Sequence, residues 1–262
     1  MFIKMRKLSL ITLLLLFFIT KSYSYGNSIF QSGEELTYEV TFLGFKLGTI
    51  RMFILAEEKF GLNIAYRAMS QMESIPQIPY FKLNATYQSW IDQSAAFSYK
   101  FEGSTRFITP EWDWQRLIFD YQKNFVVNEK WKNQQKTWLD TVRSSKKWND
   151  GCSLFYFARQ FAGSKRGIAV PTVMERDTCK TIINFTNKVE NVNISSIDYP
   201  VRTLYFNGAA KWTGVYGITG NFEAWVSDDN ARIPIKAKMK VYVGSVNIEL
   251  VSWKRDGWTP PR

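Results

Sequence analysis

Alternation with a period of two runs through most of this chain and fixes its fold class before anything else is considered. In Leu36, Tyr38, Val40 and Phe42 the apolar side chains fall on one face, with Thr37, Glu39 and Thr41 on the other. Gly44-Phe45-Lys46 then turns the chain into a second run, where Ile50, Met52 and Ile54 alternate with Thr49 and Arg51. Further strand-like runs cover Leu62 to Met69, Tyr80 to Ile91, Phe97 to Phe107, Trp114 to Tyr121, Asn124 to Trp131, Ile168 to Met174, Thr181 to Lys188, Val201 to Phe206 and Asn221 to Val226. So many strands predict an extended antiparallel sheet that must curl, close or pair with another sheet.

The C-terminal hairpin gives the sharpest register. Ile233, Ile235, Ala237, Met239 and Val241 share one face, and Arg232, Lys236, Lys238 and Lys240 the other; the chain returns as Val246, Ile248 and Leu250. With Val243-Gly244 as the turn, Met239 lies opposite Ile248, Ala237 opposite Leu250 and Lys238 opposite Glu249. The basic stripe of Arg232, Lys236, Lys238 and Lys240 is either a solvated outer face or a cradle for an anionic headgroup or glycan.

One segment breaks the period. Leu154, Phe157, Ala158 and Phe161 are spaced i, i+3, i+4, i+7, with Asp150 placed to cap the free amides of the first turn and Gly163 to stop the helix. Phe155 and Tyr156 make the helix apolar on nearly every side, so it needs cover all round. The expected fold is therefore mainly β, a large curved antiparallel sheet or half-open barrel with one short helix packed on its concave face.

Residues 1–24 read as an export leader rather than as structure. Lys4, Arg6 and Lys7 precede a 13-residue apolar core from Leu8 to Thr20, and Ser22-Tyr23-Ser24 forms a small-x-small cleavage site before Tyr25. A membrane-spanning helix needs about 20 apolar residues. The expectation is a periplasmic or secreted protein, cut after Ser24, with residues 25–262 forming a single β-rich domain.

Composition removes several functions. The chain has no His, which excludes a Ser-His-Asp triad and His-ligated zinc. Without the leader's four cations, the 34 Lys plus Arg against 23 Asp plus Glu leave an excess of +7. These charges are scattered and form no nucleic-acid arm. Cys152 and Cys179, 27 positions apart, have no C-x-x-C spacing. In an oxidising compartment they are a disulfide candidate worth about 3 to 4 kcal/mol by the chain-entropy model, or else two free thiols. No cofactor or metal motif stands out.

Two short stretches carry candidate chemistry. Asp228-Asp229 with Glu223 supplies carboxylates for Ca²⁺ or a glycosidase pair, although Ser227-Asp228-Asp229-Asn230 is also what a strand-to-strand turn wants. Glu111-Trp112-Asp113-Trp114 beside Pro110 suits a sugar-stacking platform, since indole faces match apolar ring faces and carboxylates match hydroxyls. The plainer alternative is a loop entering a strand with Trp114 buried.

Gly33-Glu34-Glu35-Leu36-Thr37-Tyr38-Glu39-Val40, with Leu43 to Thr49 after it, resembles the opening of the DUF3108 family of exported bacterial proteins. Asp150 to Arg159, Trp225 to Ile235 and Gly244-Ser245-Val246 are similar to that family's other recurrent stretches. The likeness runs from about Gly33 to Trp253 and departs in the Trp-rich middle and over Asn187 to Gly220. It implies a curved antiparallel sheet akin to the lipoprotein-carrier half-barrel, and no known activity.

Two functions follow as expectations. As a non-catalytic binding module, the protein would hold a lipid, glycolipid or other amphiphile in the curved sheet, or an anionic envelope glycan, using Lys236, Lys238, Lys240, Arg232, Trp112 and Trp114. As a structural protein with a filled core, it would present its surface to an envelope protein partner. A carboxylate-dependent hydrolase ranks third.

Overall fold

In the computed structural model, which describes residues 29–76, 78, 82–107, 110–212, 219–241 and 244–262, the chain forms fourteen strands, thirteen of them from the alternating runs. The first eight are β1 (Glu35–Phe42), β2 (Phe45–Phe60), β3 (Asn63–Ser74), β4 (Asn84–Asp92), β5 (Ser98–Arg106), β6 (Trp112–Asp120), β7 (Phe125–Lys132) and β8 (Gln135–Arg143). Helix α1 (Ser153–Phe161) follows. The chain then forms β9 (Gly167–Met174), β10 (Asp177–Val192), β11 (Val201–Ala210), β12 (Gly220–Ser227), β13 (Pro234–Lys240) and β14 (Ser245–Lys254). The expected leader, and the Tyr80 start of the fourth run, fall outside the described residues.

All fourteen strands belong to one antiparallel sheet in the order β8-β7-β6-β5-β4-β3-β2-β1-β14-β13-β12-β11-β10-β9. The chain meanders outward from β1 to one edge, crosses to the opposite edge, and meanders back until β14 pairs with β1. Seven of these strand pairs carry a register shift. Each such bulge bends and twists its strand locally, so this spacing of bulges rolls the sheet.

The roll brings its ends together without pairing them. Gln115 and Asn128 lie on the same faces of β6 and β7 as the core residues Leu117 and Val126. Their side-chain amides donate to the Glu175 carbonyl, in the β9–β10 turn, at 2.6 and 2.8 Å. The Arg176 guanidinium lies 5.2 Å from the Trp138 ring centroid on β8. The β9–β10 turn thus rests against the inside of β6 to β8, β8 and β9 do not pair with each other, and the other flank of β9 is bridged by Asn149, whose amide donates to the Pro171 carbonyl at 2.9 Å and whose carbonyl accepts from the Val173 amide at 2.8 Å.

The segment that crosses between edges places α1 on the concave face, as the all-round apolar helix requires. Cys152 and Tyr156 join a core with Leu36, Ile54, Leu117, Ile235 and Leu250, whereas Leu154 and Phe157 join a second cluster with Val170, Phe185, Leu204 and Val226. Asp150 does the capping work foreseen for it: one carboxylate oxygen accepts from the amides of Cys152 and Ser153, each at 2.8 Å. Its other oxygen accepts from the Ser89 and Ser98 hydroxyls at 2.7 and 2.6 Å. At the far end Arg159, with no exposed surface, donates to both oxygens of Glu34 and to the carbonyls of Ile29 and Ala231. Arg255 pairs with the same carboxylate. This buried cluster ties the helix to the chain's first described residues and to the β12–β13 turn.

One expectation needs correction, one strand had no expectation, and the open alternative at the cysteines resolves to free thiols. The C-terminal hairpin keeps its faces, with Ile235 wholly buried, but slips by two residues: Ala237 lies opposite Ile248, Met239 opposite Val246, and Lys236 rather than Lys238 opposite Glu249. The connection is longer than Val243-Gly244, with Val241 N donating to Gly244 O. Strand β8 went unforeseen, because its side chains are nearly all exposed and give no apolar stripe. Cys152 and Cys179 are free thiols. The first is locked in the core at the start of α1, while the second donates to the Thr172 carbonyl at 3.2 Å, so neither sulfur engages the other.

Candidate ligand-binding surface

On β6, Leu117 and Phe119 face the core, so the even-numbered residues Trp112, Trp114 and Arg116 face outward. The neighbouring strands bring Trp131 opposite Trp114, with Ser104 on Trp114's other flank and Arg106 beside Trp112. Asn133 and Gln134 both adopt positive φ, 47° and 68°, in the two-residue β7–β8 turn, the backbone of the hairpin type whose twist matches its strands. That turn swings Gln134 over the end of the tryptophans. The result is an open cleft of about 390 Å³ lined by Ser104, Trp112, Trp114, Trp131 and Gln134.

Trp114 and Trp131 meet edge to face, their ring centroids 4.1 Å apart, and Trp112 is 39% exposed at the mouth. Arg106 lies 5.0 Å from the Trp112 ring centroid, and Arg116 lies 5.6 and 5.4 Å from those of Trp114 and Trp131. Arg116 and the neighbouring Lys132 and Lys136 have carboxylate partners. Glu129 accepts from Arg116 and from Lys136, and Glu111 pairs with Lys132 at 2.6 Å. Burial alone would raise the Glu129 carboxyl, but the hydrogen bonds from Lys136 and Arg116 outweigh it and hold the group below the usual range. The hydrogen bond and charge of Lys132 do the same for Glu111. The cleft therefore offers aromatic faces, a hydroxyl and an amide inside a rim whose named cations outnumber its carboxylates but are mostly paired with them.

Trp112 and Trp114 thus lie together as the platform idea required, and Trp114 is only partly buried. Trp131 was missed, although the sequence held a signal for it. With Asp120 and Phe125 flanking the β6–β7 turn, counting outward sets Trp131 opposite Trp114.

The basic stripe is more divided. Lys236, Lys238 and Lys240 share the outer face of β13, but acids interleave with them: Lys236 pairs with Glu249 at 2.5 Å, and Lys238 lies opposite Glu223. Lys240 is exposed at the strand end. Arg232 sits apart in the β12–β13 turn at φ 50°, its guanidinium near Gly163 and Asp228.

The remaining candidates for chemistry are occupied. Asp229 accepts from the Ala231 and Arg232 amides, the Ser227 hydroxyl and the Trp258 indole, while Asp228 pairs with Arg202 at 2.8 Å. This is turn chemistry. Among the described residues no His/Cys/Asp/Glu group is placed to hold a metal ion. Burial drives the Cys152 thiol well above its ordinary value and the Cys179 thiol up to about 11, so neither supplies a thiolate near neutrality.

A single antiparallel sheet rolled around one helix, with its aromatic cleft on the outside, makes this a β-barrel-like protein. The crystal structure of a beta-barrel-like protein of domain of unknown function DUF1849 from Brucella abortus is similar, with a TM-score of 0.53 and 8% identity over 85% of this chain and 97% of that one. At that identity the likeness is one of fold. The chain belongs to the DUF3108 family, a family of proteins of unknown function, whose model matches residues 37–251. None of the curated proteins matches it.

Proposed function

We propose that this is an exported, non-catalytic binding module that takes a sugar ring of an envelope glycan or glycolipid into the outer tryptophan cleft. The observation that supports it is the convergence of three indoles, Trp112, Trp114 and Trp131, with Ser104 and Gln134 on paired strands and a two-residue turn. Rigid aromatic platforms bind apolar ring faces with little ordering cost, and the hydroxyl and amide supply the few polar contacts that fix orientation. A lipid held inside the roll is disfavoured, because α1 and the core side chains occupy the concave face. Titrating the leader-free protein with muropeptides and lipopolysaccharide core oligosaccharides, and following tryptophan fluorescence, tests the reading. A saturable change that Trp112→Ala weakens at least tenfold without lowering the melting temperature is expected. A flat response to every glycan overturns it.

A second reading, an interaction scaffold of the envelope, is favoured by the filled core and by edge strand β8, which leaves its outer backbone groups unpaired and carries exposed Leu139 and Val142. Crosslinking in intact cells that captured a protein through β8, with no glycan at the tryptophans, would favour it.

A further inference from the structure

A second cleft, of about 570 Å³, opens where the roll fails to close, between the end of β8 with its following loop and the start of β10. It lies at the far end of β7 from the tryptophan cleft, about 23 Å away at the usual rise per residue. Arg143 and Lys146 line it. Their charges rest on the rings of Phe125 and Trp148, and neither forms an ion pair among the described residues. At the other cleft, by contrast, Arg116, Lys136 and Lys132 each have a carboxylate partner in Glu129 or Glu111. No acidic side chain lines the second cleft.

Its neutral groups point the same way. Ser144 Oγ accepts from the Lys146 amide at 3.2 Å and from the Trp148 indole at 3.1 Å, so its own hydrogen remains free to donate. Ser145, Asn124 and Thr178 also line this space, residue types that carry hydroxyl and amide donors. Two cations without counter-charges, beside several short-armed donors, suit a compact multivalent oxyanion better than a neutral sugar or an apolar chain.

We propose that this seam cleft is a phosphate-binding site, recognising either a free phosphate or the phosphate of a lipid headgroup through Arg143, Lys146 and the Ser144 hydroxyl. The test uses the leader-free protein, inorganic phosphate followed by calorimetry, and vesicles of phosphatidylglycerol against vesicles of phosphatidylcholine followed by sedimentation. Binding of phosphate or of the anionic vesicles, weakened at least tenfold in Arg143→Gln/Lys146→Gln, is expected. Phosphate binding alone assigns a soluble ligand, whereas vesicle binding that inorganic phosphate competes away assigns a headgroup. Both substituted side chains are exposed, so the variant should melt with the parent. Failure of both probes to bind, or equal binding by the double variant, overturns the proposal.

Discussion

Single residues in this fold matter most where charge has been taken out of water. Glu34 is an anion that Arg159 and Arg255 both contact, at a site where Arg159 has no exposed surface. Glu34→Gln leaves two guanidinium groups facing a neutral amide, and breaking a buried pair in this way costs about 3 to 5 kcal/mol. Removing Glu39, whose partner Lys46 is a surface cation, should cost no more than about 1 kcal/mol. Urea denaturation of the two variants checks the contrast. Asp150 presents a different case, a buried carboxylate with four hydrogen-bond donors and, among the described residues, no ion-pair partner. Burial raises its pKa in spite of the hydrogen bonds from Ser98, Ser153, Ser89 and Cys152. A folded-state value above the unfolded one means the native protein holds this proton more tightly. The stabilisation is complete below the unfolded pKa and is lost as pH rises through the folded one. Asp150→Asn keeps an oxygen for the two amides and removes the charge. Its stability relative to the parent should therefore rise with pH across that window, as read from urea midpoints at a series of pH values; a constant difference would show that Asp150 does not titrate there.

At the scale of elements, the register of the last hairpin offers a direct measurement. A double-mutant cycle on Lys236 and Glu249 should return a coupling of about 0.2 to 1 kcal/mol, and one on Lys238 and Glu249 a value near zero. The sequence pointed to the second pair and the structure makes the first. The reason is physical: alternation fixes which face a residue occupies, but a slip of two residues preserves every face, so only turn length decides the register. The same limit explains what else was legible. Thirteen strands and the helix followed from apolar periodicity, which burial on the concave side enforces. β8 did not, since an edge strand such as Gln-Lys-Thr-Trp-Leu-Asp-Thr-Val-Arg, wet on both faces, needs no stripe to be stable. At the candidate site, Trp112 and Trp114 were readable as a platform, whereas Trp131 joined them through pairing. The seam cleft was invisible, because Arg143 and Thr178 meet only when the two ends of the sheet come round.

That meeting is the property of the whole molecule that no local segment contains. Continuous strand pairing runs from β8 to β9 through the β1–β14 pair, so the hydrogen-bonded sheet would survive if its edges drifted apart. What holds the β9–β10 turn to β6–β8 is small: two amide donors on the Glu175 carbonyl, the Lys130–Glu175 ion pair, and Arg176 against Trp138, whereas the middle of β9 is bonded by backbone to Asn149. Neutral hydrogen bonds of this kind contribute about 0.5 to 1.5 kcal/mol each, far less than the sheet and core. Local opening at the seam should therefore be much easier than unfolding. Gln115→Ala/Asn128→Ala removes both donors. It should speed amide exchange in the β9–β10 turn around residues 174–178, leave the β1–β14 amides as slow as in the parent, and weaken phosphate binding if Thr178 belongs to that site. Exchange that accelerates equally in β1 and β14 would mean instead that the seam is part of the cooperative core, and that the roll is closed in energy even though its edge strands never pair.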